Sequence, residues 1–201
     1  MSRALIILAT ALLATMPASI GAAGAEMQTG SLTKIPIGHY EFCRRTPAEC
    51  GIRSTGVAKE TWSEDLQRGL ERVTHAVNRR VKSRSDQEIY GQDEVWAFPD
   101  FNEGDCEDYV LEKRRILADA GIALANLLIT VVKKPDGEGH AVLTVVTDRG
   151  DLVLDNLTNA VKDWRSVNYA FMKRQSRSHT GQWVDILGGA DAPVAAVRAT
   201  N

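Results

Sequence analysis

The chain has 201 residues, with 24 Lys and Arg against 26 Asp and Glu, a formal charge of −2 and 44% hydrophobic residues. That length suits one domain with a real core and is short for two. The slightly acidic balance, with no basic stripe, argues against a nucleic-acid partner.

In chain order, residues 1–25 read as a secretory signal: Arg3, an apolar run from Ala4 through Met16, then Pro17, then Ala23-Gly24-Ala25 before Glu26. The run is shorter than the roughly 20 residues a bilayer span needs, so cleavage after Ala25 is expected, with an uncleaved anchor as the alternative. No later apolar segment approaches spanning length. The expectation is a periplasmic or secreted protein that is not an integral membrane protein once the signal is removed. Residues 26–58, rich in Gly, Pro, Thr and charge, read as an irregular entry segment. Within it, Cys43 and Cys50 flank a turn at Thr46-Pro47. In an oxidising compartment these two are expected to pair, which leaves Cys106 as the odd thiol. An unpaired cysteine in an exported chain points to chemistry, with a buried inert thiol as the alternative. Metal binding through cysteine is disfavoured, because the chain has no CxxC.

Leu66, Leu70, Val73, Val77 and Val81 recur at helical spacing and predict an amphipathic helix over about Ser63 to Lys82, with His75 off the stripe as a surface residue. The segment Asp93 to Pro99 reads as a loop. Its Trp96 either lines a substrate groove or, the preferred reading, anchors the loop to the core. Asp105 then reads as an N-cap, with Asp108 at the position of a capping box, so Cys106 opens a helix that Gly121 closes.

From Leu127 the period becomes that of strands: Leu127 to Lys133, His140 to Val146 and Leu152 to Leu157, an antiparallel meander behind the helix. Tyr169 to Met172 and Trp183 to Ile186 are expected to add an edge strand and a docking segment. The tail from Gly188 is expected to be flexible. The domain is thus expected over residues 26–187, and the tail over 188–201.

A thiol at a helix start is favoured as thiolate by the first-turn amides, and a cysteine hydrolase also needs an imidazole and a group to orient it. Cys106, His140 and Asp155 fit those roles in that order. A four-residue loop over Thr147 to Gly150, with Gly150 left-handed, would pair Val146 with Asp151 and make Asp155 the diagonal neighbour of His140. A two-residue turn at Arg149-Gly150 would instead place Asp155 opposite Thr144, too far along the strand. Zinc on the same three residues is disfavoured for want of a fourth ligand. Asp105, Glu107 and Asp108 crowd the thiol with negative charge that should raise its pKa. Either they bind a hard cation such as calcium or, the reading preferred from spacing alone, they stabilise the helix N-terminus.

The runs GDCEDYVLEKRRILADAG, GHAVLTVVTDRGDLVLDN and FCRRTPAEC resemble the bacterial transglutaminase-like cysteine peptidase family, over about residues 38–187. The resemblance implies an α+β, papain-like or transglutaminase-like fold in which the nucleophile-bearing helix packs on an antiparallel β-sheet. It also implies Cys106 as nucleophile, His140 as base and acid, and Asp155 as the orienting carboxylate. LapG-type members are periplasmic, calcium-dependent proteases that clip a large surface adhesin, and their calcium ligands match Asp105 and Glu107 here. This chain departs from that type in its short length and its Cys43/Cys50 pair. The function expected is therefore that of an exported cysteine endopeptidase acting on a protein or peptide substrate such as a cell-surface adhesin, with calcium and no organic cofactor. The alternatives are a transglutaminase-type acyltransferase and a non-catalytic binding module. Asn102 and Trp96 are both candidates for a second oxyanion donor beside the Cys106 amide.

Overall fold

The segment expected to be irregular is ordered. In the computed structural model, which describes residues 26–188, it forms strand β1 (Thr29–Thr33) and helices α1 (Ile37–Arg45) and α2 (Pro47–Cys50). The signal read at residues 1–25 and the tail beyond Gly188 lie outside the described residues. Neither β1 nor α1 carries a clear periodicity, because each is held by a distant partner. β1 pairs antiparallel with a strand near the end of the domain, and α1 buries only Gly38, His39 and Phe42. Gly38 is required there, since a Cβ would meet the Trp96 ring at 2.3 Å. The disulfide Cys43–Cys50, with a Cα–Cα distance of 5.5 Å, ties α1 to α2.

Ser63 caps α3 (Glu64–Arg80) by accepting from the Leu66 N–H at 3.0 Å, and the helix buries Leu70, Thr74 and Val77. Next come strand β2 (Lys82–Ser83), helix α4 (Asp86–Tyr90) and strand β3 (Glu103–Gly104), with β2 and β3 paired in parallel. Helix α5 (Cys106–Asp119) ends as expected at Gly121, whose φ of +98° suits a residue without a Cβ.

Strands β4 (Leu127–Lys133), β5 (Gly139–Thr147), β6 (Gly150–Leu154), β7 (Lys162–Asp163), β8 (Ala170–Ser176) and β9 (His179–Ile186) complete a seven-stranded sheet in the order β1-β9-β8-β4-β5-β6-β7. The late segments are thus full strands inside the sheet, rather than an edge strand and a docking piece. Their pattern hides this because buried polar residues are satisfied by partners: Arg174 on β8 bonds Asp151 on β6 at 2.8 Å. Helix α5 lies on β4 and β5. One face of the sheet packs Leu127, Ile129, Leu143, Val145 and Leu154 with Leu70, Val110 and Leu111 from the helices. A smaller cluster of Met27, Val132, Val142, Val153, Phe171 and Ile186 gathers apart from it. Among the described residues no helix is long and apolar enough to cross a membrane.

The β5–β6 register pairs Val146 with Asp151 and Leu143 with Leu154, with Gly150 at φ +112°. Of the two registers open from sequence, this one brings Asp155 beside His140. Asp155 lies one residue beyond the end of β6, and both of its carboxylate oxygens are held by hydrogen bonds.

Candidate active site

Cys106 is the first residue of α5, and Asp105 is its N-cap. The expected capping box does not form through Asp105, whose side chain makes no capping hydrogen bond. Instead its Oδ2 accepts from the backbone N–H of Asp86 at 3.4 Å. The Cys106 thiol donates to Glu107 Oε2 at 3.1 Å. Burial first, then the charge of Glu107 and its hydrogen bond, push the thiol well above its ordinary pKa.

His140 Nε2 lies 2.9 Å from Asp155 Oδ1. Oδ1 also takes the Leu157 N–H at 3.1 Å, and Oδ2 takes the Tyr169 hydroxyl at 2.7 Å. Burial acts to raise Asp155, but the hydrogen bonds from His140, Leu157 and Tyr169 outweigh it and leave the carboxyl below its usual value. An ionised carboxylate only accepts, so Nε2 carries the proton and Nδ1 is the unprotonated nitrogen. The structure thus pairs His140 with Asp155 and places Cys106 on the helix that packs against β5, with the thiol's hydrogen bond directed to Glu107.

Around the thiol lies a buried acidic cluster. Oxygens of Asp86, Asp105 and Asp108 lie within 4.8 Å of one another, and Asp105, Cys106 and Glu107 form a second such group. One oxygen of each of the three aspartates is held by a backbone N–H: Asp86 by Val95, Asp105 by Asp86 and Asp108 by Ala97. The other three oxygens are buried without a partner. Asp108 presses so close to Gly104 that a Cβ there would meet its Oδ2 at 2.5 Å. Burial, foremost, pushes Asp86 up to about 6, Asp108 up to about 8 and Glu107 up to about 9. Three converging, orphaned carboxylate oxygens fit a hard divalent cation. Sequence spacing set Asp105, Glu107 and Asp108 together as possible cation ligands, the family resemblance assigned calcium to Asp105 and Glu107, and Asp86 was missed. Asp86 lies 19 residues from Asp105 and reads locally as an ordinary helix-start acid. Only the β2–β3 bridge brings them together.

Trp96 is 3% exposed and packs against Trp183, with ring centroids 6.2 Å apart, so it anchors its loop. Its indole N–H points to Glu94 Oε2 at 3.4 Å. That direction leaves it no role as an oxyanion donor. Asn102 is exposed at φ +59°, and His75 is exposed on α3.

Lys113, two turns along α5 from Cys106, is 0% exposed, and its ammonium has no hydrogen-bond partner. It lies over the Tyr109 ring at 5.6 Å. Burial lowers its pKa to about 7, against which the charge of Asp155 acts in the opposite direction. Because this value lies below the unfolded one of about 10.4, the unfolded chain holds more protons between the two and stability rises with pH across that window. Lys113→Met, which keeps the volume, is expected to stabilise by about 2 kcal/mol at pH 6, with the advantage shrinking towards pH 10. Thermal melts of both proteins across that range check it.

A helix-borne, part-buried thiol laid against an antiparallel sheet defines the class: a cysteine peptidase with a transglutaminase-like fold. The model of the family described as bacterial transglutaminase-like cysteine proteinase BTLCP matches residues 29–191. The chain belongs to that family. Among solved structures it is similar to calcium-bound Legionella pneumophila LapG, with TM-score 0.51 and 21% identity over 67% of this chain and 77% of that one. A second LapG structure from L. pneumophila matches with TM-score 0.50 and 23% identity, over 62% of this chain and 69% of that one. No curated protein matches the chain.

Proposed function

We propose that the protein is an exported cysteine endopeptidase in which Cys106, His140 and Asp155 form the catalytic triad. The observation that carries this reading is the His140–Asp155 hydrogen bond of 2.9 Å, with His140 on the strand against which the Cys106 helix packs. His140 Nδ1 takes the thiol proton, and the thiolate adds to the scissile carbonyl carbon. The imidazolium then protonates the departing amine. Water, deprotonated by His140, releases the acyl group and restores the thiol. Asp155 holds the imidazole in the tautomer that keeps Nδ1 free. Proteolysis of this kind fits a single domain over residues 26–187, preceded by a cleaved signal.

Export is supported by the signal pattern at residues 1–25 and by the Cys43–Cys50 disulfide, which belongs to an oxidising compartment. Calcium is the cation we assign to Asp86, Asp105 and Asp108, with Glu107 alongside, supported by their orphaned oxygens and by the calcium-bound LapG neighbour. When bound, the ion supplies positive charge that offsets the carboxylates holding the thiol protonated. The substrate is an exported protein, and a cell-surface adhesin is the class that the family resemblance favours.

The test is to compare the amino-terminal ends of exported proteins from wild-type cells and cells carrying Cys106→Ala. New ends present only in the wild type are expected, with the variant melting at the wild-type temperature. Identical ends in both would end the proposal.

A further inference from the structure

Tyr169 belongs to none of the roles assigned so far, yet it touches two members of the site. It stands immediately before β8, and its hydroxyl donates to Asp155 Oδ2 at 2.7 Å. Its ring meets the His140 ring edge-on, with centroids 5.6 Å apart and planes at 77°. It also lines a cavity of about 300 Å³ with Asp155, Leu157 and Val167, and a second of about 530 Å³ with Lys133, Trp164 and Phe171. Tyr169 therefore touches both partners of the His140–Asp155 hydrogen bond and borders both cavities.

From this placement we infer that Tyr169 is a positioning residue, which acts through Asp155 to hold His140 in its working orientation. The inference rests on the triad reading above. A carboxylate attached through a single Cβ can rotate about its last bond, and rotation would exchange the oxygen facing His140. Oδ1 is occupied by His140 Nε2 and the Leu157 N–H, which together define one edge of the group. The Tyr169 hydroxyl grips the opposite oxygen, so the carboxylate plane is fixed from both sides. The tyrosine remains a donor throughout the working range, because burial, foremost, and the neighbouring Asp155 push its own ionisation upward.

The experiment uses the full mature chain, labelled with 15N-histidine, in wild-type, Tyr169→Phe and Tyr169→Ala forms. Two readouts are followed: solvent exchange of the His140 Nε2–H proton, assigned by its loss in His140→Ala, and the rate of Cys106 alkylation by iodoacetamide. Tyr169→Phe keeps the ring and removes the hydroxyl. It is expected to slow alkylation about tenfold and to speed proton exchange about tenfold. Tyr169→Ala is expected to abolish the Nε2–H signal. If Tyr169→Phe matches the wild type in both readouts, or changes exchange without changing alkylation, the positioning role is overturned. Failure of the triad itself looks different: His140→Ala would then alkylate at the wild-type rate, while Nε2–H exchange would still report on Tyr169.

Discussion

Protein stripped with EGTA and then given millimolar calcium is expected to react with iodoacetamide at Cys106 about 100-fold faster at pH 7. The thiol is held protonated by burial and by Glu107 and Asp105, and adjacent charges of this kind move a pKa by about 1–3 units. Offsetting them raises the thiolate fraction by a similar power of ten. Asp108→Asn removes one of the three unpartnered oxygens and is expected to raise the calcium concentration needed by about tenfold. A reaction rate indifferent to calcium would dissociate the acidic cluster from the thiol.

The same cluster sets the pH dependence of folding in EGTA. Asp86 at about 6, Asp108 at about 8 and Glu107 at about 9 all lie above the unfolded carboxyl values near 4. Between those limits the folded chain binds more protons than the unfolded one, so stability falls as pH rises from about 4 to about 9. Melting temperatures at pH 5 and 7, below the window in which Lys113 contributes, should therefore decline in EGTA and decline less in calcium. A flat profile in EGTA would contradict the burial of these charges.

Asp155→Ala is expected to lower peptidase turnover by about 1,000-fold, because His140 loses the acceptor that fixes its tautomer and the Tyr169 hydroxyl loses its partner. Asp155→Asn is expected to cost much less. A carboxamide oxygen still accepts from Nε2, as it does where cysteine peptidases carry asparagine at this position. The pair of variants separates orientation from charge: equal losses would mean that the negative charge itself matters. Since Asp155 is only 2% exposed, circular dichroism and melting of each variant establish that the fold survives.

Much of this site was legible in the residues, and the parts that were not share one cause. Ser63 and the Leu66, Leu70, Val77 stripe announce α3 because capping and a 3.6-residue period are local properties. β1 was missed because its strand identity is conferred by pairing with β9, across most of the chain. β8 was misplaced to an edge because Arg174 reads as a surface charge until Asp151 is found beside it. Asp108 was taken for half of a capping box, since its position at the third helical residue says nothing of the Ala97 N–H it binds.

By itself the sequence determined that a lone cysteine would open a helix, that two others could close a short loop, and that a histidine would stand on a strand with a carboxylate close after the next one. Those are matters of spacing along one element, governed by backbone geometry over a few residues. Tertiary structure alone decided which of two β5–β6 registers was adopted, that Asp86 would join Asp105 and Asp108, and that the Tyr169 hydroxyl would bond Asp155. Such contacts arise only when separate elements pack, and their energies depend on burial that no local pattern encodes.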